Sequence, residues 1–174
     1  MPTEPDNDDA TDQFLAIIEA HKGILYKVTS AYSRTEQDRN DLVQEILYQL
    51  WRSRSKYKSQ YAMSTWVYRI ALNVSISALR KSTRRQHTSF DATAIQIAQP
   101  SDTAEGFSEE LKQLHQFIHE LREVDRALML LFLDQKPHKE IALILGISES
   151  NVATRIHRIK ASLKQRFAKD YANE

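Results

Sequence analysis

There is no cysteine in this chain, which excludes a disulfide framework, a thiolate nucleophile and a cysteine-based zinc site. Glycine and proline are nearly as scarce, at 3 and 4 of 174 residues, so no glycine-rich loop is available to cradle a phosphate. Strand-type alternation is rare as well. With so few helix breakers, the long periodic stretches predict an all-α protein. No apolar run is long enough to span a bilayer, and no basic segment followed by an apolar one opens the chain. The expectation is a cytoplasmic protein with no membrane insertion.

Catalytic constellations are missing too. His115 and His119 stand four apart and share one helical face, but no further ligand cluster accompanies them. His21, His87, His138 and His157 form no set with a nucleophile. The expectation is no enzyme and no cofactor.

What is present is charge, unevenly spread. The formal net charge of +1 hides an acidic start, with Glu4, Asp6, Asp8, Asp9 and Asp12. Basic residues cluster at Arg52, Arg54, Lys56 and Lys58, at Arg80, Lys81, Arg84 and Arg85, and at Arg155, Arg158, Lys160, Lys164 and Arg166. Such clusters suit a polyanion, although any one of them alone reads equally well as a solvated helix face.

The periodicity divides the chain into two small helical domains. Residues 1–11 read as a disordered acidic tail, with Asp12 as a helix cap. Residues 12–86 read as a three-helix bundle. Its first stripe is Phe14, Ile17, Ile18, Leu25, Val28 and Tyr32, and its second is Leu42, Val43, Ile46, Leu47, Leu50 and Trp51. The third helix is expected from Ser64 or Thr65 to about Arg84, with Trp66, Val67, Ile70, Ala71, Val74 and Leu79 buried. Residues 87–106 lose the periodicity, are rich in Ser, Thr, Gln and Asp, and read as a flexible interdomain linker. Residues 107–170 regain it.

Within that second domain, His138 to Leu145 is a short helix, Gly146 a turn with positive φ, and Ser148 the cap of a longer helix. Ala142 is small where two helices cross, and Ile141, Leu145, Ile147, Val152 and Ile156 fill the space under the turn. This is the helix-turn-helix pattern, whose second helix enters the major groove of DNA. Ser150, Asn151, Thr154, Arg155, Arg158 and Lys160 lie off its apolar stripe, and Lys139 on the first helix joins them as a candidate contact. Arg suits guanine or phosphate, Asn suits adenine, and Lys suits the backbone.

Ile141-Ala142-Leu143-Ile144-Leu145-Gly146-Ile147-Ser148, with Val152 and Arg155-Ile156-His157-Arg158, resembles region 4 of the extracytoplasmic-function (ECF, group 4) sigma factors of the sigma-70 family. Asp41-Leu42-Val43-Gln44-Glu45 with Leu50-Trp51, then Thr65-Trp66-Val67-Tyr68-Arg69-Ile70-Ala71 with Asn73 and Leu79-Arg80, are similar to region 2. The resemblance implies the minimal two-domain group, with no further domain. It implies a subunit that binds core RNA polymerase and directs it to promoter DNA, and an anti-sigma factor as a partner; the chain is expected to be a monomer when free. It assigns polymerase docking to the helix bearing Asp38, Asp41, Leu42, Gln44, Glu45 and Trp51. It assigns the −10 element to Lys56, Tyr57, Lys58, Tyr61, Trp66, Arg69, Asn73, Arg80 and Arg84, where aromatic and cationic side chains can hold unstacked bases. Trp66 also reads as core. The −35 element falls to the helix-turn-helix. The chain departs from the family pattern at Arg39-Asn40, Leu72, Ser77 and Asn151. An alternative is a stand-alone helix-turn-helix regulator that binds operator DNA without polymerase. A flexible linker would leave the domains unaligned and free-protein DNA binding weak; domains packed on each other are the other arrangement open to the chain.

Overall fold

In the computed structural model, residues 7–88 and 108–172 are described. Among them are α1 (Asn7–Tyr32), α2 (Glu36–Ser53), a 3-10 turn (Arg54–Lys56), α3 (Met63–Thr88), α4 (Glu109–Glu120), α5 (Glu123–Leu133), α6 (His138–Leu145) and α7 (Glu149–Ala172). No strand occurs among the described residues.

Local chemistry sets the helix ends. Thr35 caps α2: its hydroxyl accepts from the Asp38 amide at 3.0 Å, and the Asp38 carboxylate accepts from the Thr35 amide at 3.3 Å. This reciprocal box satisfies two amides that a helix start otherwise leaves unpaired. It also explains why α2 begins inside the polar stretch from Ser33 to Asn40. α1 begins at Asn7, so part of the segment expected to be a tail is helical; Asp9 in its first turn complements the helix dipole. α3 runs to Thr88, two residues past the expected domain end. The rest of the tail, residues 1–6, and the linker call from residue 89 onward lie outside the described residues.

The first three helices bury Val28 of α1, Ile46 and Leu50 of α2, and Val67 and Ala71 of α3, each at 0% exposure. In the second half, Leu128 and Leu131 of α5, Ile141 of α6 and Val152 of α7 are likewise fully buried. These residues form one continuous cluster, not two. The two domains therefore pack directly on each other, and the expectation that the linker leaves them unaligned is corrected. The reason is visible on α3. Thr65 and Tyr68, one helical turn apart, are both buried and hydrogen-bond to Glu140 and Asp134 of the second half.

Hydrogen bonds seal the boundary. Tyr68 donates to Asp134 Oδ2 at 2.7 Å, and Lys27 pairs with the other Asp134 oxygen. Thr65 donates to Glu140 at 2.9 Å, and Arg80 to Glu123 at 2.8 Å. Arg126, buried in α5, donates to the Ala31 carbonyl at 2.9 Å near the end of α1 and to the His119 and Leu121 carbonyls in its own domain. Its guanidinium also lies 5.2 Å from the Tyr32 ring, and the Tyr32 hydroxyl donates to the Glu123 carbonyl. Arg126 thus ties α1, α4 and α5 through backbone oxygens that would otherwise be buried without partners.

Candidate nucleic-acid interface

The helix-turn-helix forms as its sequence demands. Gly146 adopts φ 68 and ψ 34 at the end of α6, and the amides of Gly146 and Ile147 both donate to the Ala142 carbonyl, at 2.9 and 3.2 Å. A side chain at Gly146 would meet no atom, so glycine is needed there for its backbone freedom and not for space. Ser148 caps α7, its hydroxyl accepting from the Asn151 amide at 3.2 Å. Ile141, Val152 and Ile156 pack beneath the turn.

The residues assigned to −35 contacts divide into two groups. Lys139, Ser150, Asn151, Thr154 and Arg158 are exposed on α6 and the first turns of α7. Arg155 and Lys160 are engaged within the domain. Arg155 Nη1 donates to Asp125 at 2.7 Å and its Nε to the Asn151 side-chain oxygen at 2.8 Å. Lys160 sits 5.4 Å from the Phe132 ring centre.

The −10 set forms one strip along the first domain. At its start the Tyr57 hydroxyl donates to the Tyr61 carbonyl at 2.7 Å, and the Tyr57 ring meets the half-buried Trp66 edge-on at 5.6 Å. Trp66 thus pins the loop to α3 while keeping one edge at the surface. Lys56, Lys58 and Tyr61 are exposed beside it, and Arg69, Asn73, Arg80 and Arg84 continue the strip down α3 at helical spacing. Arg80 is paired with Glu123.

On α2, Asp41, Gln44 and Glu45 project to the surface. Gln37 and Gln49 donate to Asp41 and Glu45 at 3.1 and 2.9 Å, which steadies the carboxylates. Leu42 is only 7% exposed and belongs to the core, so the surface role expected for it is corrected: it faces the bundle because it shares the Ile46 and Leu50 stripe. Asp38 is occupied in the α2 capping box with Thr35, and Trp51 is half-buried between the Phe14 ring and the Arg54 guanidinium, 3.7 Å above it. Sequence reasoning missed Tyr48. It lies one turn past Gln44 on the acidic ridge with 56% exposure. An aromatic residue off the apolar stripe was the available signal.

Electrostatics follow burial. Desolvation raises the Tyr68 and Tyr32 hydroxyls well above the ordinary phenol range, so both remain donors. Burial opposes ionisation of Asp134, but hydrogen bonds from Lys27 and Tyr68 outweigh it and hold the carboxyl below its usual range. His119, on α4 against α1, is pushed down to about 4 by burial, then by Arg126, His115 and Arg34. No cluster able to hold a metal exists among the described residues, and none of their helices is long and apolar enough to cross a membrane.

A helical protein with a helix-turn-helix at one end and a basic, aromatic strip at the other belongs to the class of two-domain DNA-binding proteins. The sigma-70 region 2 family matches residues 17–85, and the sigma-70 region 4 family matches residues 111–163. The ECF RNA polymerase sigma-E factor of Escherichia coli (strain K12) is 32% identical over 154 residues, covering 79% of each chain. The RNA polymerase sigma factor NccH of Alcaligenes xylosoxydans xylosoxydans is 26% identical, over 86% of this chain and 84% of its own. This chain belongs to the sigma-70 family, in its ECF group. Two solved structures share its fold. CnrH in complex with the cytosolic domain of CnrY has TM-score 0.66 and 20% identity, over 92% of this chain and 90% of that one. The sigma factor RpoE in complex with the anti-sigma factor NepR from Bartonella quintana has TM-score 0.66 and 21% identity, over 90% and 95%.

Proposed function

We propose that this chain joins core RNA polymerase through the Asp41–Tyr48 ridge of α2 and selects promoters through two separate DNA-reading surfaces. The strip from Tyr57 to Arg84 engages the −10 element, and the exposed face of α7 reads −35 duplex. Its part is binding, not catalysis. One observation carries the reading: an acidic, aromatic-tipped ridge and two basic DNA surfaces coexist on one chain, each on a different helix. A stand-alone operator-binding protein has no use for the first.

Promoter binding requires the domains to part. The two elements are separated by roughly 25 base pairs, about 85 Å of duplex at 3.4 Å per step. A packed chain of this length has a radius of gyration of only about 16 Å. The closed arrangement is therefore the free form, and polymerase binds the opened one. Opening costs free energy, which weakens DNA binding by the free protein. The solved relatives bound to CnrY and to the anti-sigma factor NepR support an anti-sigma partner for this chain, which we take to be monomeric when free.

Titration of labelled full-length protein with core polymerase tests the docking surface. Charge reversal at Asp41→Arg with Glu45→Arg is expected to weaken binding at least tenfold without changing the thermal midpoint. Unchanged binding rejects the α2 ridge as the dock.

A further inference from the structure

The loop between the 3-10 turn and α3, residues 57–62, is tied to itself by one side chain. The Tyr57 amide donates to the Arg54 carbonyl at 3.2 Å, which fixes the start of the loop. The Trp66 amide donates to the Ala62 carbonyl at 3.2 Å, which fixes its end. Between them the Tyr61 amide donates to the Lys58 carbonyl at 3.2 Å, closing a turn with Ser59 and Gln60 at its centre. Tyr57 spans this turn. Its hydroxyl donates to the Tyr61 carbonyl at 2.7 Å, and its ring meets the Trp66 ring edge-on at 5.6 Å. Tyr57 is half-buried, whereas Lys58, Ser59, Gln60 and Tyr61 are all exposed.

A phenol hydroxyl has one proton to donate, and this one goes to a backbone oxygen of the loop. The ring behind it rests on Trp66, which stands in the first turn of α3. Tyr57 therefore connects the far side of an exposed turn to a rigid helix. A surface turn without that connection samples more conformations, and a strand that binds it must order it at a cost in entropy. A turn fixed beforehand avoids this cost. It also holds its groups in one arrangement, and discrimination between bases depends on such fixed geometry. We infer that Tyr57 is a positioning residue: anchored on Trp66, it holds the Lys58–Tyr61 turn in the shape that receives the −10 strand. The inference rests on this loop belonging to the −10 strip. It makes Lys58 and Tyr61, and not the Tyr57 hydroxyl, the groups that the loop offers to DNA.

The test uses holoenzyme assembled from core polymerase and the full chain, with a labelled −10 single strand from a promoter that the holoenzyme opens. Tyr57→Phe keeps the ring and removes only the donated proton. It is expected to weaken strand binding about threefold, the size of one solvent-exposed hydrogen bond, and to narrow the discrimination against mismatched −10 strands. Affinity for core polymerase should not change. Tyr57→Ala, which also gives up the ring contact, should lose about tenfold or more. In the free chain, millisecond hydrogen exchange should quicken at the amides of residues 58–62 in Tyr57→Phe and stay the same elsewhere. Weaker strand binding with unchanged exchange in the loop would make the hydroxyl a direct DNA contact and overturn the inference. Faster exchange with unchanged strand binding and discrimination would make the bond a matter of local structure alone, and would overturn it too. So would a variant unchanged in both. A native holoenzyme that opens no promoter at all overturns the sigma reading and the inference together, whereas an active one indifferent to Tyr57→Phe overturns only the inference.

Discussion

The Tyr68 hydroxyl reaches across the domain boundary to Asp134 at 2.7 Å, from the second turn of α3. Lys27 of α1 holds the other oxygen of the same carboxylate. One acidic side chain of the second domain thus binds two helices of the first, beside apolar area shared by both.

Breaking that junction should open the molecule. Tyr68→Phe leaves Asp134 with one donor fewer and is expected to cost about 1–2 kcal/mol. Combined with Asp134→Ala, it should raise the radius of gyration measured by small-angle scattering. It should also increase duplex binding by the free protein, because less of the closed form must be overcome. An unchanged scattering profile means that the apolar contacts alone keep the domains together.

Arg126 should be the most costly single charge to remove. Arg126→Met leaves the Ala31, His119 and Leu121 carbonyls without their shared donor. A loss of about 3 kcal/mol is expected in urea denaturation, since bonds to a charged donor are stronger than neutral ones. Surface arginines such as Arg158 should show almost none.

Acid should loosen the contact between α1 and α4. The folded value of His119, about 4, lies below its ordinary value of 6.5, so the folded state favours the neutral ring. The resulting stability is fully present above pH 6.5 and is lost as pH falls toward 4. Arg126, His115 and Arg34 all face the ring and oppose its protonation. Chemical denaturation at pH 7 and pH 5 should show a drop that His119→Gln reduces. An equal drop in the variant assigns it to other groups.

Gly146→Ala isolates the turn. No atom lies within reach of the added carbon, so the cost is backbone strain alone, about 1–2 kcal/mol. The thermal midpoint should fall while α7 keeps its base preference in the folded fraction.

These predictions rest on features that were unequally legible in the sequence. The helix-turn-helix was, because Ala142, Gly146 and Ser148 each answer a local demand of backbone or packing that a short stretch of chain displays. The all-α architecture and the two family regions were legible for the same reason. The start of α2 was only half legible: Thr35 and Asp38 form a capping box inside a run of polar residues that carries no apolar periodicity and reads as a turn with room for a helix start. The closed arrangement was not legible. Thr65 and Tyr68 look like ordinary members of a bundle helix, and only the tertiary structure shows that they face a second domain. The pairing of Arg155 was not legible either, since its partner Asp125 lies thirty residues away and on another helix.

The measurement that most directly tests the account is run-off transcription with purified core polymerase on a pool of promoter fragments, with and without this protein. The account predicts start-site-specific transcripts that require the protein and are abolished by charge reversal at Asp41 and Glu45. They should be strongly reduced by Arg158→Ala. Tight duplex binding by the protein alone, with no transcript and no association with core polymerase, would contradict it.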